Sequence, residues 1–583
     1  MLAAARARGI DVAPRWGGAA DVPTRTLDLL TELLGELPDH PEGTRKAYVP
    51  PVLKTRRVFG VALQLYQLRS PRNLGIGDLK DLTALIPTFA EWGADFVGLN
   101  PLHALFTAEP ERASPFSPSD RRFLNPMIIA VEDVPGYAPK MRDAVDVPSA
   151  DEVIDHTAAT RAKLSVLRAI HARWRAGDPA IDATARAAFA RFRSEGGEAL
   201  ETFCLFEAIS HAMAVDGFGA GWTGWPRVLQ RPDTPRAKAF REAHQSDITF
   251  HAFLQFCAAQ QLAATQKAAT DAGMAIGLYL DLAVGAAPDG AATFADPSLV
   301  LTGVRIGAPP DLFTSEGQDW GLAPFSPSEL VARDFAPYRA MLSAVLGPCG
   351  AVRIDHAMGL ERLYLIPDGA PALEGAYVAY RGLTDTLVDE THRHFALAIG
   401  EDLGVVPEGF RERMAERALY SMRILPFERD GNRMRPPARF PAAALACLST
   451  HDIAPLEAWW RGDDIVTRVA LGSLSRRDAA TAHRDRRMEK ALLSGLAGLP
   501  PGVADRPIGD DLVVALHRVA ARSASRLVAV RLEDVVGGRR LVNLPGTDRE
   551  HPNWRHTLPL TVEAITQSER LQRVMAAMGR ERR

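Results

Sequence analysis

The chain has 583 residues, 47% of them hydrophobic and 24% charged, and its 68 Lys+Arg against 71 Asp+Glu leave a formal net charge of -3. That is ordinary globular composition, which excludes collagenous, coiled-coil and disordered classes. The near-neutral balance gives no electrostatic pull toward nucleic acid or an anionic membrane, so a neutral partner fits better than a charged polymer.

Residues 1–56 carry no clear strand signal and read as a peripheral N-terminal segment. From there a motif recurs: a short apolar run that ends in a polar residue. The first is Phe59-Gly-Val-Ala-Leu-Gln-Leu-Tyr66, followed by the turn-rich Asn73-Leu-Gly-Ile-Gly77. An amphipathic stretch from Asp78 to Trp92 precedes Asp95-Phe-Val-Gly-Leu-Asn100. Further runs are Met274–Asp281, Ala351-Val-Arg-Ile-Asp355, Leu397-Ala-Ile-Gly-Glu401, Met422–Phe427, Ala446–Asp452 and Leu527–Asp534. Apolar runs of this length, bounded by Gly, Pro or carboxylates and alternating with helical stretches, predict parallel strands buried on both faces. About eight of them is the requirement of an α/β fold of the (β/α)8 TIM-barrel type.

The interval from Asn100 to Met274 is far longer than one crossover needs, and its Ala/Arg/Glu-rich middle predicts an inserted, mainly helical subdomain at about 104–272. The barrel with its insertions then occupies 57–560, and 561–583 reads as a C-terminal helical tail. Cys204, Cys257, Cys349 and Cys447 lie far apart with no CxxC pair, which excludes a disulfide framework and a cysteine zinc site. The start of the chain holds no apolar signal core and no stretch approaches a membrane span, so the expected compartment is the cytoplasm.

Residues at the C-terminal ends of barrel strands share one mouth. Asp355, Glu401 and Asp452 stand there, and three converging carboxylates suit glycosyl transfer: one attacks the anomeric carbon, one carries the proton, one orients the sugar. Arg353 lies two residues before Asp355, on the same side of its strand, and is placed to hold that carboxylate ionised. His356 and His451 each adjoin an acid and can donate to sugar hydroxyls. Read singly, each acid is as well explained as the N-cap of the next helix, and Arg353–Asp355 as a structural ion pair. Asp281 has the same two readings. Asn73–Gly77 lacks the third glycine of a phosphate loop, and His392 and His394 point to different helix faces, so neither suggests a nucleotide or a metal. Of the tryptophans, only Trp320, in a Gly- and Pro-rich segment, reads more as site than as core.

The segments GVALQLYQLRSPRNLGIGD, SPFSPSDRRFLNP, GLYLDLAVG, IGAPPDLFTSEGQDWGLAPFSP, VRIDHAMGL, IGEDLGVVP, STHDIAPLEAWW and NLPGTDREHPNW occur in this order. Together they resemble the amylomaltase family, the 4-alpha-glucanotransferases of glycoside hydrolase family 77, over roughly residues 57–560. The resemblance implies a disproportionating enzyme that moves α-1,4-glucan segments to the 4-hydroxyl of glucose or maltodextrin, with no cofactor and no metal. It implies Asp355 as nucleophile, Glu401 as acid/base and Asp452 as transition-state stabiliser. Arg353, His356, His451 and Asp281 would contact or support the sugar at the cleavage site. Ser114 and Phe116 fall in a glucan-contacting loop, where many members have Ser-Pro-Tyr and this chain has Ser-Pro-Phe. Asp311, Gln318 and Trp320 fall in a flexible loop over the acceptor side. In this scheme an anionic Asp355 raises the pKa of Glu401. A hydrolase, or a glucan-binding barrel without turnover, are the alternatives on the same scaffold.

Overall fold

A computed structural model describes residues 2–12, 22–38, 40–41, 43–149, 152–310, 316–431, 433–547 and 550–582. Eight parallel strands close into a barrel in chain order: β1 (Val58–Leu63), β2 (Phe96–Leu99), β3 (Gly277–Leu282), β4 (Ala351–Ile354), β5 (Leu397–Gly400), β6 (Tyr420–Ile424), β7 (Ala444–Cys447) and β8 (Leu527–Arg531). Closure is by β1 against β8, with Val58 opposite Leu527 and Ala62 opposite Arg531. Each predicted apolar run supplies one of these strands. The barrel interior is filled by Val58, Phe96, Tyr279, Ala351, Leu397, Ile399, Met422, Leu445 and Leu527, side chains drawn from all eight strands. It is therefore a packed core with a site only at its rim.

Between β2 and β3 the chain forms the short hairpin His103–Ala104/Asp120–Leu124 and the helices His156–Arg175, Ala183–Val215, Pro235–Ala243 and Gln245–Asp271. The second helix breaks at Gly197, where φ is 52° and ψ -149°. Phe203, Phe206 and Ile209 of that helix pack with Ile248, Ala252 and Phe294 in a core of their own. The last helix is stapled to the hairpin side by amides. Gln255 accepts from Leu124 N–H and donates to Leu124 O, and Gln261 does the same at Ala130. Such double bonds satisfy backbone groups that no strand partner reaches.

A four-stranded antiparallel sheet stands beside the barrel, in the order Ala376–Ala379, Arg362–Pro367, Val304–Ala308, Gln318–Leu322. This corrects the placing of Gln318 and Trp320 in a flexible loop. Gln318 and Trp320 lie in a strand, Ala308 facing Gln318 and Gly307 facing Asp319. Gln-Asp-Trp-Gly-Leu has weak strand character of its own, and the pairing with Val304–Ala308 decides its conformation. Ile10 bridges to Val378 and Thr26 Oγ1 donates to Glu374 O at 2.8 Å, so the N-terminal residues pack on this sheet. At the other end, Arg582 is 5% exposed and donates to Val58 O at 3.1 Å and Ser525 O at 2.6 Å, at the N-terminal side of β1 and β8.

Candidate active site

Asp281 near the end of β3 and Arg353 in β4 are paired in register, so both side chains enter the barrel mouth side by side. Arg353 Nη1 donates to Asp281 Oδ1 at 2.8 Å and Oδ2 at 3.1 Å. The same nitrogen lies 2.9 Å from Asp355 Oδ1, and Nη2 lies 3.9 Å from Glu401 Oε2. One guanidinium thus joins three carboxyl groups from three neighbouring strands. Asp355 continues β4, its N–H donating to Leu282 O at 3.1 Å, while Val284 N–H reaches its Oδ2 at 3.3 Å.

Glu401 follows β5 directly, its N–H donating to Ile354 O at 3.0 Å. Both its oxygens accept backbone donors: Leu403 N–H at 2.6 Å and His356 N–H at 3.1 Å. Asp402 beside it is fully buried and points the other way, accepting from Met422 N–H, Arg423 Nη1 and Arg411 Nε at 2.8, 2.8 and 2.7 Å. That anchor fixes the peptide on which Glu401 stands.

Across the mouth, Asp452 follows β7. Its Oδ2 lies 3.2 Å from His451 Nε2, and Asn543 Nδ2 donates to its Oδ1 at 2.8 Å. The His451 ring stacks on Phe116, centroids 4.6 Å apart and planes 26° apart, and Trp554 completes a triple contact at 5.4 Å from Phe116 and 5.5 Å from His451. Arg353 stands over the Phe116 ring at 5.8 Å, which links this aromatic wall to the carboxylate cluster. Ser114 opens the turn that presents Phe116, its carbonyl accepting Ser117 N–H at 3.2 Å. On the remaining side, Trp320 meets His356 edge-on at 5.0 Å and donates Nε1–H to Gln318 Oε1 at 3.2 Å. Asp311 lies outside the described residues.

Asp281, Arg353, Asp355, His356, Glu401, His451, Asp452, Phe116 and Trp320 are therefore connected through one contact network at the barrel mouth. Asn543 and Trp554 also belong to it and were not singled out from sequence; the only sequence signal for them is their shared segment NLPGTDREHPNW. Among the described residues no group of three or more His, Cys, Asp or Glu side chains is arranged to hold a metal ion, and no helix is long and apolar enough to cross a membrane.

The network sorts these groups by charge. Burial pushes the Glu401 carboxyl up to about 7, against the pull of Arg353 and with the help of Asp355. The largest cause is burial, and the anionic neighbour named from sequence comes after it. Burial also raises Asp281, opposed by Arg353. Asp452 is exposed to the mouth, and the desolvation that would raise its carboxyl is outweighed by the adjoining His451 ring and by hydrogen bonds from His451 and Asn543, which hold it well below the usual range. Burial lowers His356 to about 4, so its ring is neutral at pH 7. Two carboxyl groups of opposite protonation in one mouth are the arrangement that acid/base chemistry on a glycosidic bond requires.

The 4-alpha-glucanotransferase family profile matches residues 63–561. A 4-alpha-glucanotransferase from Mycobacterium tuberculosis is 37% identical over 540 residues, covering 88% of this chain and 72% of that protein. One from Haemophilus influenzae is 35% identical over 553 residues, covering 91% and 79%. The crystal structure of amylomaltase from Corynebacterium glutamicum superposes with a TM-score of 0.80 at 30% identity, covering 92% of this chain and 77% of that one. A barrel closed by eight parallel strands, a mouth built from carboxylates and aromatic rings, and a match that runs through nearly all of it agree: the chain belongs to the 4-alpha-glucanotransferase family.

Proposed function

We propose that this chain carries out the 4-alpha-glucan transfer of its family by a retaining double displacement, with Asp355 as nucleophile, Glu401 as acid/base and Asp452 as stabiliser of the transition state. Protonated Glu401 gives its proton to the glycosidic oxygen as an Asp355 oxygen bonds to the anomeric carbon and the bond to the leaving sugar breaks. Glu401, now ionised, takes the proton of an acceptor 4-hydroxyl, whose oxygen displaces Asp355 and restores the starting state. Arg353 holds the Asp355 carboxyl in place at 2.9 Å, and the depressed Asp452 supplies negative charge opposite the oxocarbenium-like sugar.

The observation that supports this most is the single Arg353 guanidinium shared by Asp355 and Glu401, of which Glu401 is held near 7. Neutral maltodextrins suit a chain of net charge -3 and a mouth walled by Phe116, His451, Trp554 and Trp320. In this reading Arg353, His356, His451 and Asp281 serve the sugar at the cleavage site, Ser114 and Phe116 contact the bound glucan, Gln318 and Trp320 serve the acceptor side, and such rings favour a sugar over water as acceptor. The four cysteines are free and buried, in keeping with a cytoplasmic enzyme.

Incubation with maltotriose tests the activity. Transfer yields glucose and longer maltodextrins with no net gain of reducing ends. A steady gain of reducing ends without longer products would overturn it.

A further inference from the structure

Asp452 stands on a connection, not on a strand, yet a transition-state stabiliser has to be held to within a fraction of an ångström. Residues 450–453 form a β-turn closed by Ile453 N–H on Thr450 O at 3.1 Å, and its two central residues are His451 and Asp452. Both terminal carbonyls of that turn are gripped from outside by one side chain. Arg531, the last residue of β8, donates from Nη1 to Thr450 O at 2.6 Å and to Ile453 O at 2.7 Å. Three residues on, Asp534 accepts Ser449 Oγ–H on one oxygen and, at 2.8 Å on the other, the N–H of Leu456, where helix Leu456–Arg461 begins.

The segment is therefore tied at residues 449, 450, 453 and 456, two points on each side of the His451–Asp452 pair. Arg531 ends a strand that is hydrogen-bonded into the barrel on either side, by β7 and β1, and Asp534 lies in the short helix Leu532–Val535 that follows it directly. Arg531 is 5% exposed and Asp534 is fully buried, and Arg531 Nε lies 3.5 Å from the buried Glu533. Charges sunk this deep, spent on the carbonyls and amides of one turn, fix its position in a way neutral groups would do less rigidly.

We infer that Arg531 and Asp534 are positioning residues for Asp452, a clamp that transmits the rigidity of the barrel to the turn carrying it. The inference rests on Asp452 being the transition-state stabiliser. It makes the end of β8, which carries no group of the reacting set, a determinant of kcat.

The test uses the full chain with Ser449→Ala, Arg531→Lys and Asp452→Asn singly, and Ser449→Ala and Arg531→Lys each combined with Asp452→Asn. Fluoride release from α-maltosyl fluoride keeps the slow variants measurable. The clamp variants are expected to lose about tenfold in kcat with KM within about twofold, and to lose less than about twofold further in the Asp452→Asn background. Equal losses in both backgrounds, or an unchanged kcat in the single variants, would overturn the clamp. Should Arg531→Lys not fold, Ser449→Ala decides alone. Wild-type kcat in Asp452→Asn overturns the role of Asp452 itself, an outcome distinct from failure of the clamp.

Discussion

The amide of His356 donates to Glu401 Oε2 at 3.1 Å, and it does so from a left-handed backbone with φ at 45°. A side chain other than glycine in that region costs about 1 kcal/mol, so the turn after Asp355 is strained in order to hold the Glu401 carboxyl. The held carboxyl titrates near 7 and is protonated below that value. Since the first step needs the proton, kcat/KM for maltotriose is expected to fall as pH rises through about 7. In Glu401→Gln this limb disappears, and kcat drops by about 10²–10⁴. A profile flat from pH 6 to pH 9 in the wild type would contradict the assignment.

The same group makes a prediction about stability. Its pKa is raised from 4.5 to about 7 in the folded chain. The folded state thus binds the proton more tightly, and the associated stability is fully present below about 4.5 and lost as pH rises through about 7. Glu401→Gln has no such loss. Its stability relative to wild type should therefore be greater at pH 8 than at pH 5, by up to about 3 kcal/mol. Urea unfolding of both proteins at the two pH values reads this directly.

Much of this site is legible in the sequence, for a reason that also marks where legibility ends. Asp355, Glu401 and Asp452 each follow an apolar run, and a barrel sends every strand end to one rim. Arg353 was placed beside Asp355 by strand alternation alone, and it stands 2.9 Å from it. Contacts made across the chain carry no local pattern. Asn543 is 91 residues from the Asp452 it binds, and the strand Gln318–Leu322 exists because of its partner Val304–Ala308. Burial is equally hidden, which is why the sequence assigned the raised Glu401 to Asp355, when desolvation is the larger cause.

Asp355→Asn should remove the nucleophile while keeping shape and most hydrogen bonds, and kcat is expected to fall by at least about 10³-fold with little change in KM. The complementary variant is Glu401→Gln treated with α-maltosyl fluoride, which needs no proton for its leaving group. Attack by Asp355 then proceeds while the second step, lacking its base, stalls. A maltosyl adduct on the peptide containing Asp355 is the expected product, detected by mass spectrometry. An adduct on another residue would reassign the nucleophile.

Phe116 contacts two rings at once, His451 at 4.6 Å and Trp554 at 5.4 Å. Each aromatic pair is worth about 0.5–1.5 kcal/mol, so Phe116→Ala loosens His451, the residue whose Nε2 lies 3.2 Å from Asp452. About a tenfold loss in kcat/KM on maltotriose is expected. Phe116→Tyr keeps the stack and should change kcat/KM by less than about threefold, unless the added hydroxyl finds a sugar partner, which would appear as a lower KM.

Asp402 offers the sharpest contrast with its neighbour. It is fully buried, and Arg423, itself 7% exposed, donates to it at 2.8 Å while Met422 N–H takes the other oxygen. Asp402→Asn keeps an acceptor for Met422 but, among the described residues, leaves the Arg423 charge with Glu428 alone, at 3.6 Å. Removing one partner of a buried pair costs about 3 kcal/mol. At pH 8, then, neutralising two adjacent acids should act in opposite directions: the urea midpoint rises for Glu401→Gln and falls for Asp402→Asn. The first carboxyl is buried at the expense of its charge, the second is buried because of it. A fall in both variants would mean that the folded site favours the ionised form of Glu401 instead of raising its pKa, and the proton for the leaving sugar would have to come from elsewhere.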